Sequence, residues 1–190
     1  MRTQAPFRHL LIGGLLGLSA GVASLAAPAM ACSLEATADL SGAFAVDHRG
    51  SIAVAIATRN AIDAGHIAEI PKEASARLAQ LKLVQLRAIS HVRKAAFRPR
   101  KNAGPPVAVL LTQSGAWIRF NDPRFGAVYH ANPATESETA LLVPDTVYDA
   151  LLDGRMSVES ATELGLIRVY GTEDAGLAIA SFSSVLDVSG

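Results

Sequence analysis

The N-terminal segment constrains this chain most, because it predicts export and is followed by the only cysteine. It contains, in chain order, the basic residues Arg2 and Arg8, an uncharged apolar stretch at 10–27, and the small residues Ala29 and Ala31. These are the three parts of a secretory signal peptide. A permanent membrane helix is the alternative, and the four glycines within the apolar stretch weaken it. We therefore expect residues 1–31 to be removed as the protein is exported to the periplasm or secreted.

Cys32 would be the first residue of the exported chain. A bacterial lipoprotein carries its lipid on such a cysteine, but Ala29 stands where a branched apolar residue is usual, so lipidation and an ordinary cleavage site are both open. One cysteine excludes an internal disulfide. Stability outside the cytoplasm must then come from an apolar core, and residues 32–190 are long enough to form one as a single domain.

The composition is typical of a compact domain, with 50% apolar and 18% charged residues. The whole chain has no net charge. Removing residues 1–31 removes two arginines and no acid, which leaves 15 basic and 17 acidic residues and a net charge of −2. This balance gives no support for nucleic-acid binding.

Charge is segregated along the chain. Between Lys72 and Lys101 there are nine basic residues and one acid, whereas between Glu136 and Asp187 there are ten acids and two arginines. The basic segment could pack on the acidic one within the same domain, where surface ion pairs contribute little individually. It could instead face a membrane surface or a protein partner. For that alternative, the predicted contact residues are Arg77, Lys82, Arg87 and Lys94.

The N-terminal half of the exported chain divides into three predicted segments. Residues 32–71 form a strand-containing segment, in which the apolar run Ser51–Thr58 favours a buried strand, although its many alanines keep a helix open. Residues 72–98 form a basic amphipathic helix, because Pro71 precedes it and no Gly or Pro interrupts it before Pro99. Residues 99–106 form a polar, proline-rich loop.

Residues 107–187 predict an α+β region. Apolar runs predict strands at 107–111, 116–120, 126–130, 139–143 and 166–170, with the first two joined as a hairpin through Gly115. A helix capped by Asp145 and ended at Gly154, a short helix capped by Ser157, and a last helix at 174–186 complete the pattern. The fold class is therefore α+β, with a small and mainly antiparallel sheet covered by helices in a single domain.

The sequence of these elements resembles sterol carrier protein domains. The stretch from Val147 to Gly171 carries the likeness: an apolar helix ending in Leu-Leu-Asp-Gly, a short helix with a central Ala, and a strand between two glycines. The similarity covers about Val107 to Leu186. Residues 33–106 match no pattern that we can name.

The resemblance implies an apolar tunnel that holds a lipid or another hydrophobic molecule, with the last helix as its lid and with no catalytic residue. The residues that would line it are Leu110, Trp117, Ile118, Phe120, Val128, Leu142, Leu151 and Phe182. The same side chains would suit the core of any α+β domain, so the sequence leaves core packing open for each of them.

We find no pattern that predicts catalysis, a cofactor or a metal site. The histidines at 9, 48, 66, 91 and 130 form no pair or cluster with metal-ligand spacing. Asp145, Asp149 and Asp153 recur every four residues, but Ca²⁺ needs more oxygens than one helix face presents. A solvated acidic face is the simpler interpretation.

These observations lead to a ranked expectation. The first is an exported, non-catalytic binding protein for a hydrophobic small molecule or lipid. The alternative is a periplasmic accessory protein that docks on a protein partner through its charge-segregated surface. An enzyme whose site is assembled from residues far apart in the sequence is the third.

Overall fold

The computed structural model describes residues 48–97, 104–171 and 174–187. The predicted signal peptide, Cys32 and most of the proline-rich loop therefore lie outside the described residues. Within these ranges the chain forms five helices and five strands. In chain order they are α1 Ser51–Asp63, α2 Ala74–Ala96, β1 Val107–Leu111, β2 Ala116–Asp122, β3 Gly126–Tyr129, β4 Ala140–Val143, α3 Asp145–Leu152, α4 Val158–Glu163, β5 Arg168–Tyr170 and α5 Ala175–Leu186.

The strands form one sheet in the order β3-β2-β1-β4-β5. The β1–β4 pair is parallel and the other three pairs are antiparallel. Leu110 of β1, in the middle of the sheet, is paired with Trp117 on one side and with Leu142 on the other. The predicted α+β fold with a mainly antiparallel sheet is confirmed.

Alternation along the strands divides the apolar side chains between two faces, because successive residues of a strand point to opposite sides. The large-cluster face is covered by α2, α3, α4 and α5, and its strand residues include Val109, Ile118 and Leu141. The small-cluster face holds Val54 of α1 together with Ala108, Leu110, Trp117, Ala140 and Leu142. The sheet therefore separates two apolar layers of unequal size.

The strand predicted at Ser51–Thr58 is wrong, because these residues begin α1. The buried residues of α1 are Ser51, Val54, Thr58 and Ala61, which follow the three-to-four-residue spacing of a helix rather than alternation. Gly50 precedes the helix with a φ of 92°, a conformation that glycine adopts without strain. Residues 52–57 are apolar at every position, so local pattern alone did not decide between strand and helix.

The helices and strands predicted between residues 72 and 187 are confirmed to within a few residues where the structure describes them. The helix predicted from residue 72 begins at Ala74, and the hairpin turns at Gly115, whose φ is 70°. Ser157 caps α4 by accepting a hydrogen bond from Ser160 N at 3.0 Å. Gly154 follows the end of α3 with a φ of 66°. The cap predicted at Asp145 is wrong, because Pro144 is the N-cap of α3 and the Asp145 side chain bonds elsewhere.

Part of the charge segregation is satisfied within the molecule. The Arg87 guanidinium of α2 lies 2.9 Å from Asp149 Oδ1 and 2.8 Å from Asp153 Oδ2 of the α3 region. Arg155 contacts the same two carboxylates. The basic helix therefore packs on the acidic part of the chain, and the Asp149–Asp153 pair is bound by arginines.

On the small-cluster face, Arg119 forms an ion pair with Glu138 that predicts a pH dependence of stability. The hydrogen bond from Arg119, helped by the backbone N–H of Thr135, lowers the pKa of Glu138 to about 2. A carboxyl with a lowered folded pKa stabilises the fold above its unfolded pKa and loses that contribution as the pH falls toward 2. The pair is half-exposed, so we expect Glu138→Gln to cost about 0.5–1 kcal/mol at pH 7. Urea unfolding of both proteins at pH 7 and pH 3 measures this. The loss of unfolding free energy caused by Glu138→Gln should be smaller at pH 3, and an equal loss at the two pH values would contradict the prediction.

Candidate functional site

The structure brings the eight predicted ligand-binding residues together as two groups rather than one. Ile118, Phe120, Leu151 and Phe182 belong to the large cluster. Leu110, Trp117 and Leu142 belong to the small cluster on the opposite face. Val128 is paired with Arg119, next to Ile118, and so also points away from the large cluster. A ligand on one face can contact only one of the groups.

The large cluster is closed by α5, the last helix. Phe182 is fully buried, with its ring 6.5 Å from that of Phe120 and 6.3 Å from that of Tyr148. Polar contacts fix the C-terminal half of the helix, because Ser181 Oγ donates to Pro105 O at 2.9 Å and Val185 O accepts from His91 Nε2 at 2.8 Å. The helix thus lies across the sheet as a cover over its apolar layer.

The composition of α5 is unusual for a surface helix. No charged residue occurs between Ala175 and Leu186. One side of the helix is buried in the large cluster, yet Leu177 is 52% exposed and Ile179 is half-buried. A helix that is apolar on more than one side normally has a second apolar contact. The outer side of α5 therefore presents apolar side chains that are partly exposed to solvent.

A groove of about 350 Å³ runs between α4 and the outer side of α5. Helical spacing places its lining in rows, since residues four apart lie on the same side of a helix. The lining residues are Val158, Glu159, Thr162, Glu163, Ile179 and Ser183. Thr162 donates its hydroxyl proton to Val158 O at 2.7 Å, so its methyl group is the part free to contact a ligand. The groove is therefore lined by apolar groups and bordered by two carboxylates.

A second cavity, of about 440 Å³, lies where the α1–α2 connection meets α2 and α3. Its lining is mixed and includes His66, Gln80, Val84, Asp149 and Arg155. The two charged groups are bonded to each other at 2.8 Å, so their charges are already balanced. The cavity therefore offers no free charge with which to hold a ligand. None of the eight predicted ligand-binding residues lines either cavity.

A buried polar pair, His91 and Tyr148, lies at the large cluster. Because Val185 O can only accept, His91 Nε2 donates to it at 2.8 Å, and in the neutral imidazole Nδ1 then accepts from the Tyr148 hydroxyl at 2.8 Å. Burial raises the pKa of Tyr148, so the phenol remains neutral. Both ring nitrogens of His91 are thus bonded within the fold, where they join α2 to α3 and α5.

Asp145, the first residue of α3, is fully buried, and its side chain contacts the turn between β1 and β2. Its Oδ2 accepts hydrogen bonds from Gln113 N at 2.9 Å and Ser114 N at 3.0 Å, while Gln113 Oε1 accepts from Thr146 N at 3.0 Å. Burial raises the pKa of Asp145 above its usual range. Asp145 therefore holds the hairpin turn against the start of α3. Within the described residues no three His, Cys, Asp or Glu side chains converge as a metal site.

Sequence reasoning missed the groove residues of α4 and α5. Their signal was the uncharged stretch from Ala175 to Leu186, which is too apolar all round for a helix with only one buried side. The division of the eight predicted residues between two faces of the sheet could also have been predicted from the sequence. Trp117 and Ile118 are consecutive in a strand and so cannot line the same site.

The fold defines the chain as an α+β protein with one five-stranded sheet. Comparisons with protein-family models and with curated proteins find no match. Among solved structures, a crystal structure of sterol carrier protein 2 is similar, with a TM-score of 0.41 and 18% sequence identity over 54% of this chain and 92% of that chain. This structure belongs to the family that the sequence resembles, and the match is weak. In the part of the chain that the structure describes, no helix is long and apolar enough to cross a membrane.

Proposed function

We propose that this chain is a non-catalytic binding protein for a hydrophobic small molecule or lipid, and that it acts outside the cytoplasm after residues 1–31 are removed. One observation carries the binding function. The uncharged helix α5 seals the large cluster with one side and leaves an apolar groove against α4 with the other. Such a groove can bind an apolar ligand by removing its surface from water, and this needs no reacting group.

The groove also restricts the class of ligand. Its volume is at the lower end of the range of small-molecule sites, about 300–1,000 Å³, so a short apolar molecule or part of a longer chain fits. Glu159 and Glu163 stand on the rim, and neither has an ion pair within the described residues. Two carboxylates repel an anionic head group. We therefore favour a neutral or cationic ligand over a free fatty acid.

A larger ligand would reach the large cluster only if α5 moved aside. Ile118, Phe120, Leu151 and Phe182 are the predicted residues that it would then contact. We expect α5 to move away from α4 along the groove, because the groove already separates these two helices. The alternative, docking on a protein through the segregated charges, is weakened because Arg87 is bound by Asp149 and Asp153 within the chain.

The first test is native mass spectrometry of the protein purified from the compartment to which the full-length sequence is exported, followed by solvent extraction. We expect a chain that begins at Cys32 and a co-purifying neutral or cationic apolar molecule. The protein mass also reports whether Cys32 carries an acyl chain. A chain that retains residues 1–31 would contradict export.

A substitution in the groove tests the site itself. We expect Ile179→Gln to weaken the binding of the neutral dye N-phenyl-1-naphthylamine about fivefold, because a half-buried apolar side chain contributes on the order of 1 kcal/mol of contact. Ile56→Gln, at an exposed position of α1, is the matched control and should leave dye binding unchanged. Fluorescence titration measures both. A chain with no bound molecule and no saturable dye binding would overturn the proposal.

A further inference from the structure

The outward side of α2 carries a second apolar surface that the groove does not use. Leu83, Leu86 and Phe97 are exposed, with Phe97 at the C-cap retaining 88% of its accessible surface. At 100° per residue these three side chains fall within about 60° of one another around the helix axis. They therefore mark one line along α2, on the side opposite to Val84, Ala88 and Val92, and the exposed Ser90 lies in this line between Leu86 and Phe97.

Cations lie along both edges of this line and acids are absent from it. The helix contains five basic residues and no Asp or Glu from Ala74 to Ala96. Lys82 and Arg93 lie on one edge and Lys94 on the other, and all three are exposed. None of the three has an ion pair within the described residues. We refer to Lys82, Leu83, Leu86, Arg93, Lys94 and Phe97 as the α2 outer face.

Two of the four cations predicted from the sequence for this role are used elsewhere. Arg87 binds Asp149 and Asp153. Arg77 donates to the backbone oxygens of Pro71 and Lys72, at 3.2 and 3.3 Å. Of the cations of α2 that have no ion pair within the described residues, Lys82 is beside the exposed leucines, and Arg93 and Lys94 are near Phe97.

The β2–β3 turn extends the α2 outer face at its C-terminal end. A Cβ added to Gly126 would lie 2.9 Å from Ala96 O, so the turn packs directly on the end of α2. The residue before Gly126 is Phe125, which is 65% exposed. Two aromatic rings, of Phe97 and Phe125, are therefore presented to solvent at the same end of the molecule.

From this arrangement we infer that the α2 outer face docks on an anionic lipid surface. Exposed leucines and phenylalanines in a line, edged by lysine and arginine, are the features that place an amphipathic helix at a membrane interface. The apolar side chains enter the boundary between head groups and acyl chains, and the cations pair with anionic head groups. The charge selects the occupant, since a helix without acidic residues attracts anionic head groups, whereas a neutral lipid surface offers its cations no opposite charge. The inference does not depend on the α4–α5 groove, which is lined by other residues.

The test is sedimentation with vesicles of phosphatidylcholine alone and of phosphatidylcholine mixed with phosphatidylglycerol. The full-length sequence is expressed with Cys32→Ser, so that no acyl chain contributes to binding. We expect binding to the anionic vesicles only, and a decrease in binding as salt shortens the range of the charges. Leu83→Gln with Leu86→Gln should reduce the partition coefficient about tenfold or more, and so should Lys82→Gln with Arg93→Gln and Lys94→Gln.

Ile52→Gln with Ile56→Gln is the matched control. Both isoleucines are exposed on α1, so this pair removes as much exposed apolar surface as the leucine pair does. It should leave vesicle binding unchanged. Equal loss in the control and leucine variants, or no binding to anionic vesicles, would overturn the inference. So would a dimer in analytical ultracentrifugation that the leucine variant dissociates, because a second copy would then be the occupant. Loss of dye binding to the groove, in contrast, would affect only the proposed function.

Discussion

Phe182→Ala is expected to lower the free energy of unfolding by about 3–5 kcal/mol, because it removes a fully buried aromatic ring from the large cluster. Its contacts with the rings of Phe120 and Tyr148 join α5 to the sheet and to α3. The cavity that remains cannot collapse easily, since strand residues form its floor. Urea unfolding followed by circular dichroism measures the change as a lower midpoint with an unchanged slope.

Leu177→Ala on the same helix is the control for this effect. Leu177 is half-exposed, so its truncation should change the free energy of unfolding by no more than about 0.5 kcal/mol. The contrast between the two variants tests whether α5 is a fixed cover of the core. A loss below about 1 kcal/mol for Phe182→Ala would mean that α5 contributes little to the stability of the fold. If the same variant also bound more dye, α5 would have moved away from the large cluster.

Much of the C-terminal region could be predicted from the sequence because its boundaries are set locally. Gly115 and Gly154 adopt positive φ angles where the chain turns, and Ser157 caps α4 with its own side chain. These residues determine where elements begin and end without reference to distant contacts. The strand order, in contrast, depends on the parallel pairing of β1 with β4, which no local signal encodes.

The failure at α1 has a specific physical cause. Isoleucine and valine alternate with alanine between Ile52 and Ala57, which satisfies the period of a strand and is also compatible with a helix. The position of Val54 against the small cluster, and of Ala61 against the large one, decides for the helix. Tertiary packing overrides weak local propensity in such a run.

The sequence predicts an apolar site, which stays a prediction, and it does not predict the groove between α4 and α5. An apolar site under the last helix follows from the resemblance, and α5 is indeed the cover of the large cluster. The groove residues Val158 and Ile179 could not be found without knowing that α4 and α5 are neighbours. The charge segregation could be predicted from the sequence. Only the structure shows that Arg87 is bound by Asp149, whereas Lys82 and Lys94 are exposed.

Asp145→Ala is expected to lower the free energy of unfolding by about 2–3 kcal/mol at pH 7. The substitution leaves the N–H groups of Gln113 and Ser114 without their acceptor at a turn that is largely shielded from water. Relief from burying a charge offsets part of this loss. Asp145→Asn retains a side-chain oxygen of the same size and position, so we expect it to be less destabilising than Asp145→Ala.

The pH dependence of this effect follows from the raised pKa of Asp145. Because the folded protein holds the proton more tightly than the unfolded chain, stability falls as the pH rises from the ordinary value near 3.8 through the raised folded value. This is the opposite direction to Glu138. Asp145→Asn cannot titrate, so its free energy of unfolding relative to the unsubstituted protein should rise with pH across that window. Urea unfolding of the three proteins between pH 4 and pH 7 measures it. If Asp145→Ala and Asp145→Asn proved equally stable, the two hydrogen bonds from the turn would not be what the buried carboxylate contributes.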